Sequence, residues 1–204
     1  MAGWAKTEQE PGVYDFDWLD HIVYDAVDQG VRPWINVSYG NDIYPGGGGS
    51  NLGGVLPTSE EALEAWDAWV EALVTRYADV VYEWEVWNEP DASTPAEEYA
   101  EFYIRTAEII REVQPESSII AIAGTGGIIR NSYVDDFLTV LENVDALNLV
   151  DEISYHPYSS NPDSVYGDVD NLRQRINAFA DHITLRQGEN GAPSENVPNF
   201  ALRN

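Results

Sequence analysis

The 204-residue sequence predicts an α/β fold: one domain, residues 1–204, built as a partial (β/α)₈ TIM barrel with about strands 2 to 7 present and the first and last βα units lacking. Three observations predict it. Short apolar runs of strand length alternate with amphipathic helical stretches, the pattern of a parallel sheet covered by helices. The units recur at roughly thirty-odd residues, as expected when about 250 residues are shared among eight βα units. Finally, no G-x-G-x-x-G phosphate loop is present, although a doubly wound sheet usually carries one after its first strand.

The elements follow in order. Residues 3–6 fit the end of a strand. Trp18, Leu19, Ile22, Val23, Ala26 and Val27 recur at helical spacing, so 17–29 is a helix that Gly30 stops. The apolar run 31–37 is a buried strand. The glycine-rich stretch NDIYPGGGGSNLGG resembles a linker, but between a strand and a helix it reads as a long βα loop. A second helix opens at Thr58, Ser59, Glu60 and Glu61, a capping-box pattern in which Thr58 caps and Glu61 reaches back. The run YEWEVW is a strand leading into Asn88, Glu89 and Pro90. Thr94 and Pro95 start a helix with proline at its first helical position, which Pro115 ends. Strands are expected at 119–123, 151–155 and 183–186, and helices at 133–141 and 169–180. The tail APSENVPNFALRN is loop-like.

Composition narrows the partners. Apolar residues make up 44% and aromatic residues 12%, ample for a globular core. No apolar run approaches the ~20 residues of a spanning helix, and no secretory leader pattern is visible at the start. Cysteine is lacking, so disulfides and thiolate metal sites are excluded and the compartment stays open. Ten Lys+Arg stand against 36 Asp+Glu, a formal charge of −26, and Lys6 is the one lysine. Such a surface repels nucleic acid and anionic membranes. It is either a solubilising shell or an adaptation to concentrated salt.

In a barrel of this kind, reactive groups sit at the C-terminal ends of strands. Two segments place a carboxylate there: Trp87, Asn88, Glu89, Pro90, and Gly188, Glu189, Asn190, Gly191. They lie one hundred residues apart, about three βα units, so the two carboxylates should face each other across the barrel mouth. Glu83 and Glu85 lie further down the same strand and read as structural, with Glu85 semi-buried beside an arginine. Asp151 and Glu152 stand at the stability end of theirs. Trp34, Tyr39, Tyr44, Trp87 and Tyr166 could stack on a flat apolar ligand face, whereas Trp66, Trp69 and Trp84 read as packing. His21 and His182 lack metal-ligand spacing, so no metal and no cofactor are expected.

The run WEVWNEPD resembles the fourth-strand motif of the clan A glycoside hydrolases. That resemblance implies that Glu89 is the general acid/base and that Asn88 contacts the sugar's 2-hydroxyl. QGENG resembles the clan's seventh-strand motif, which implies that Glu189 is the nucleophile. ISYHPY resembles the sixth-strand segment and implies that His156 and Tyr158 line the sugar subsite. EPGVYDFDWLDHIVYDAVDQGVRPWINV resembles the second helix and third strand. The motifs fall in the clan's order along nearly the whole chain. The spacing and the Trp-Asn-Glu-Pro-Asp run look closest to glycoside hydrolase family 39, the β-xylosidase and α-iduronidase relatives, although QGENG departs from the nucleophile segment usual there. The implied reaction is retaining hydrolysis of β-glycosides derived from plant-type or other polysaccharides, with carbohydrate as the partner; the alternative is a carbohydrate-binding pseudoenzyme or inactive fragment. Two βα units short of a closed barrel, the chain alone is expected to turn over poorly.

Overall fold

The computed structural model describes residues 2–52, 54–159 and 161–191; the tail beyond lies outside the described residues. The chain enters as an extended edge, with the Ala2 and Gly3 amides donating to the carbonyls of Asn36 and Ser38 at 2.8 Å each. Gly3 then takes a left-handed φ of 63°, and the chain coils into α1 (Trp4–Thr7). The strand end expected at 3–6 is therefore confined to residues 2 and 3, because a left-handed residue cannot continue an extended ladder. A small antiparallel hairpin, β1 (Glu8–Glu10) with β2 (Val13–Tyr14), precedes α2 (Asp17–Asp28).

The main sheet has five parallel strands in sequence order: β3 (Ile35–Val37), β4 (Glu83–Val86), β5 (Ser118–Thr125), β6 (Glu152–His156) and β7 (Thr184–Gln187). They are connected through α3 (Glu60–Tyr77), α4 (Ala96–Val113), α5 (Tyr133–Asn143) and α6 (Tyr166–Phe179). β3 is shorter than the run 31–37 suggested, since Pro33 has no amide to give a ladder. Capping is also corrected. Ser59, not Thr58, caps α3 by accepting from the Ala62 amide at 3.1 Å. The Ser59 hydroxyl also donates to the Pro45 carbonyl at 2.5 Å, tying the glycine-rich loop to the helix. Pro95 is the N-cap of α4 instead of its first helical residue.

The glycine-rich segment is a folded loop, with the Asn41 amide on the Gly47 carbonyl at 2.9 Å. A methyl group at Gly47 would collide with the Asn41 carbonyl, so backbone meets backbone there. Glu8, fully buried, anchors the same loop from below. It accepts from Trp4 Nε1 and Tyr44 Oη at 2.5 Å each, and from the Gly12 amide at 2.6 Å.

The sheet is curled. Strands lie about 4.8 Å apart, so a flat sheet would hold β3 and β7 roughly 19 Å from each other. Instead the Arg186 guanidinium of β7 sits 5.2 Å from the centre of the Trp34 ring, just before β3, and binds Glu83 of β4 at 2.7 Å. This is barrel curvature. The helices cover the outside: on α3, Trp66, Trp69, Val70, Leu73, Val74 and Tyr77 are fully buried. Burial of each such large side chain contributes about 1.5–3 kcal/mol. Trp84 packs on that side too, donating to Gln114 Oε1 at 2.7 Å, while its neighbours Glu83 and Glu85 point into the barrel.

Candidate active site

The C-terminal end of β4 is where the backbone leaves regular geometry. Trp87 and Glu89 have φ of 66° and 48°, and on the adjacent strand Ile122 and Ala123 have 75° and 43°. Non-glycine residues in this region cost about 1–3 kcal/mol each and persist only where neighbours over-determine them. Three residues make the contacts that do so. The Glu89 amide donates to the Ala123 carbonyl at 2.9 Å. Asp91 accepts from the Thr125 amide at 2.9 Å and from its hydroxyl at 2.5 Å. Tyr99, reaching in from α4, donates to the Val86 carbonyl at 2.7 Å and accepts the Ile122 amide at 2.8 Å. Burial pushes the Tyr99 phenol well above its ordinary pKa, so it stays a donor. Sequence reasoning gave no role to Asp91 or Tyr99. The available signal was the aspartate closing the WNEPD run and a tyrosine on a helix's inner face.

The left-handed turn sends Glu89 and Trp87 opposite ways. Trp87 is 1% exposed, its ring 5.4 to 5.7 Å from those of Tyr39, Phe102 and Trp66. It is corrected from a stacking platform to a packing residue, because no face of the ring reaches solvent. Tyr39, also buried, meets Trp87 edge-on. Trp34 is half-exposed, but it lies at the start of β3 with Arg186 over its ring, away from the strand ends.

Glu89, His156 and Glu189 converge. His156 Nδ1 lies 3.1 Å from Glu89 Oε1 and 3.8 Å from Glu189 Oε2, and one donor atom from each of the three falls within 4.8 Å of the other two. A flat sheet would separate the ends of β4 and β7 by roughly 14 Å, so curvature alone makes this meeting possible. Tyr158 donates to Glu189 Oε2 at 2.7 Å, and that hydrogen bond, with partial desolvation and the nearby charges of Glu189 and Glu89, raises the phenol's pKa. The loop carrying Glu189 is fastened beside it by a parallel bridge between Tyr158 and Gly191 and by the Ser159 amide on the Gly191 carbonyl at 3.0 Å.

Among the described residues no arginine or lysine pairs with either glutamate. The arginine expected beside Glu85 binds Glu83 instead; Glu85 accepts from Asn36 Nδ2 at 3.0 Å. A cleft of about 400 Å³ runs from Trp34 and Asn36 past Glu85 to Asn88, Gly188 and Glu189. Asn88 thus lies on the wall that leads to the glutamates. No helix among the described residues is long and apolar enough to cross a membrane.

The model of Glycosyl hydrolases family 39 matches residues 3–184. The chain belongs to that family. A family 39 glycoside hydrolase from the gut symbiont Bacteroides cellulosilyticus WH2 is similar over 76% of this chain and 31% of its own, with 24% identity and a TM-score of 0.60. The GH39 enzyme from Xanthomonas axonopodis pv. citri matches over 91% of this chain and 41% of its own, at 20% identity and a TM-score of 0.69. A GH10 structure from Paenibacillus barcinonensis matches over 88% and 57%, at 16% identity and a TM-score of 0.63. At these identities the likeness shows the fold, an incomplete form of the barrel of clan A glycoside hydrolases. This family 39 chain spans about a third to two-fifths of the length of the two family 39 structures. No curated protein matches it.

Proposed function

We propose that this chain carries the reacting centre of a retaining O-glycosidase, with Glu89 as acid/base and Glu189 as nucleophile. One observation carries the reading: a carboxylate oxygen of each glutamate lies within 4.8 Å of the other at the mouth of the sheet. Retaining enzymes hold their carboxyl groups about 5–5.5 Å apart, whereas inverting ones need about 6.5–9.5 Å to admit a water.

The steps follow from that spacing. A Glu189 oxygen attacks the anomeric carbon while Glu89 gives its proton to the departing glycosidic oxygen. Two carboxylates this close disfavour double ionisation, so one proton between them is the natural resting state. Esterification removes the charge of Glu189. Glu89, now a carboxylate, takes a proton from water, whose oxygen attacks the same carbon and releases Glu189. Asn88 is suited to the sugar 2-hydroxyl, and Tyr158 and His156 to orienting the two glutamates. The substrates we propose are β-glycosides of polysaccharide origin, as the motif resemblance implies. The formal charge of −26 supports a further reading, adaptation to salt, in which melting temperature rises along a salt series.

A 2-deoxy-2-fluoro glycoside with a good leaving group tests the mechanism. The expected result is one glycosyl adduct per chain, located on Glu189 by peptide mass spectrometry. Sugar-induced stabilisation without any adduct would replace the hydrolase reading with that of a binding protein.

A further inference from the structure

Beneath the two glutamates, the far nitrogen of His156 meets two buried polar side chains, Glu85 and Ser154, that the mechanism above does not use. Glu85, Ser154 and His156 are 5%, 0% and 1% exposed. Glu85 Oε1, Ser154 Oγ and His156 Nε2 each lack a hydrogen-bond partner among the described residues. All three surround one point beside Gly188. A methyl group there would collide with Ser154 Oγ and would lie 3.1 Å from His156 Nε2 and 3.4 Å from Glu85 Oε1. Three buried polar atoms from β4 and β6 therefore gather where the β7 chain has no side chain. Leaving such groups unsatisfied costs about 1–3 kcal/mol each, so they are expected to serve one another.

The direction of that service can be worked out. The Ser38 hydroxyl donates to Asn36 Oδ1, which leaves the Asn36 amide to donate to Glu85 Oε2 at 3.0 Å and to the Trp87 carbonyl at 2.7 Å. A carboxylate accepts only, so it can stand only at the end of a donor chain. We propose that Glu85 is a positioning residue that acts on Glu89 through His156. The Ser154 hydroxyl donates to Glu85 Oε1 and accepts the Nε2 proton of His156 through one water beside Gly188. The imidazole is then the neutral Nε2–H tautomer. Its bare Nδ1, 3.1 Å from Glu89 Oε1, accepts from that carboxyl group, which holds the resting proton on the acid. Without Glu85, Ser154 is free to donate to Nε2, and the ring proton moves to Nδ1. There it faces Glu89 as a donor and serves the carboxylate form, which has no proton for a leaving group.

This inference rests on Glu89 being the acid, and its test reads the proton directly. The chain has three histidines, His21, His156 and His182, so a long-range ¹H–¹⁵N spectrum of the ¹⁵N-histidine-labelled chain, with His156→Asn for assignment, resolves both ring nitrogens of each. The expected result is a protonated Nε2 and a bare Nδ1 on His156 at neutral pH. Glu85→Gln removes the acceptor-only end and should shift the tautomer ratio toward Nδ1–H by about tenfold, the worth of one charge-assisted hydrogen bond. Ser154→Ala should shift it the same way, with circular dichroism and a cooperative melting transition reporting that each variant is folded. A protonated Nδ1 in the unaltered chain overturns the proposal without any variant, and so does an unchanged ratio in folded Glu85→Gln. Fluoroglycoside labelling separates the two ideas: an adduct on Glu189 with a protonated Nδ1 sinks the relay alone, and an Nε2–H tautomer without an adduct sinks the hydrolase reading.

Discussion

The two ends of the curled sheet handle carboxylates in opposite ways. At the N-terminal end of the strands, Glu83 is held by Arg32 at 2.5 Å and Arg186 at 2.7 Å, and Arg186 also binds Glu152 at 2.7 Å. Asp151, at the same end, is paired with Arg111 at 2.8 Å and takes the Ile119 amide at 2.7 Å. At the C-terminal end, Glu89 and Glu189 have a histidine and a tyrosine for partners, and no guanidinium among the described residues. Carboxylates gripped by guanidinium groups hold strands together. Carboxyl groups set close together without a cation disfavour double ionisation, the condition that acid–base chemistry uses. Glu85 sits between the two layers, bonded to Asn36 and without an arginine among the described residues.

The comparison can be broken at either end. At the upper end, Glu189→Gln should abolish adduct formation and lower glycoside hydrolysis by about 10⁴-fold or more, since the attacking atom is lost. Glu89→Gln should be milder. It should lower hydrolysis of alkyl glycosides by about 10²–10⁴-fold and affect far less the first step of dinitrophenyl glycosides, whose leaving oxygen needs no proton. Neither change should lower the melting temperature appreciably, because neither side chain anchors a strand.

At the lower end the pattern should invert. Glu83→Ala removes the anion that Arg32 and Arg186 share, leaving Arg186 with Glu152, and should cost about 1–2 kcal/mol in denaturant unfolding. Protein that remains folded should still accept the fluoroglycosyl label on Glu189. A variant that loses the label while remaining folded would show that the two ends are not separable.

The smallest effect concerns the outer surface. A hydrogen bond from Arg76 holds the Asp20 carboxyl below its ordinary pKa, with Tyr77 assisting. A depressed native pKa gives stability that is complete above the ordinary carboxylate range and is lost as pH falls through the native value. Asp20→Asn should therefore lose less stability than the unaltered chain between neutral and acid pH, measured as melting temperature against pH. Equal losses would show that this pair contributes nothing on acidification.

Much of the fold was legible because its signals are local. The helices at 17–28, 60–77 and 96–113 follow from apolar spacing and stop residues, and both strand-end glutamates follow from apolar runs ending in Asn-Glu-Pro and Gly-Glu-Asn. The misreadings were places where two neighbours compete for one role. Thr58 and Ser59 are both caps by type, and only the path of the glycine-rich loop chooses Ser59. Trp87 belongs to a site motif by sequence, yet a left-handed turn sends its ring into the core. Glu83 and Glu85 share strand parity, and which one faces Arg186 depends on the stagger between β4 and β7, two strands that are not neighbours in the sheet.

What the sequence by itself determined is the order of the elements and the residue types at their ends, because hydrophobic period, caps and turns act over a few residues. What only the tertiary structure decided is distance: one hundred residues separate Glu89 from Glu189, and the curl of the sheet brings their oxygens within 4.8 Å. The gathering of Glu85, Ser154 and His156 around Gly188 is of the same kind. It depends on three strands bending round a common axis, and no local pattern along the chain encodes that bend.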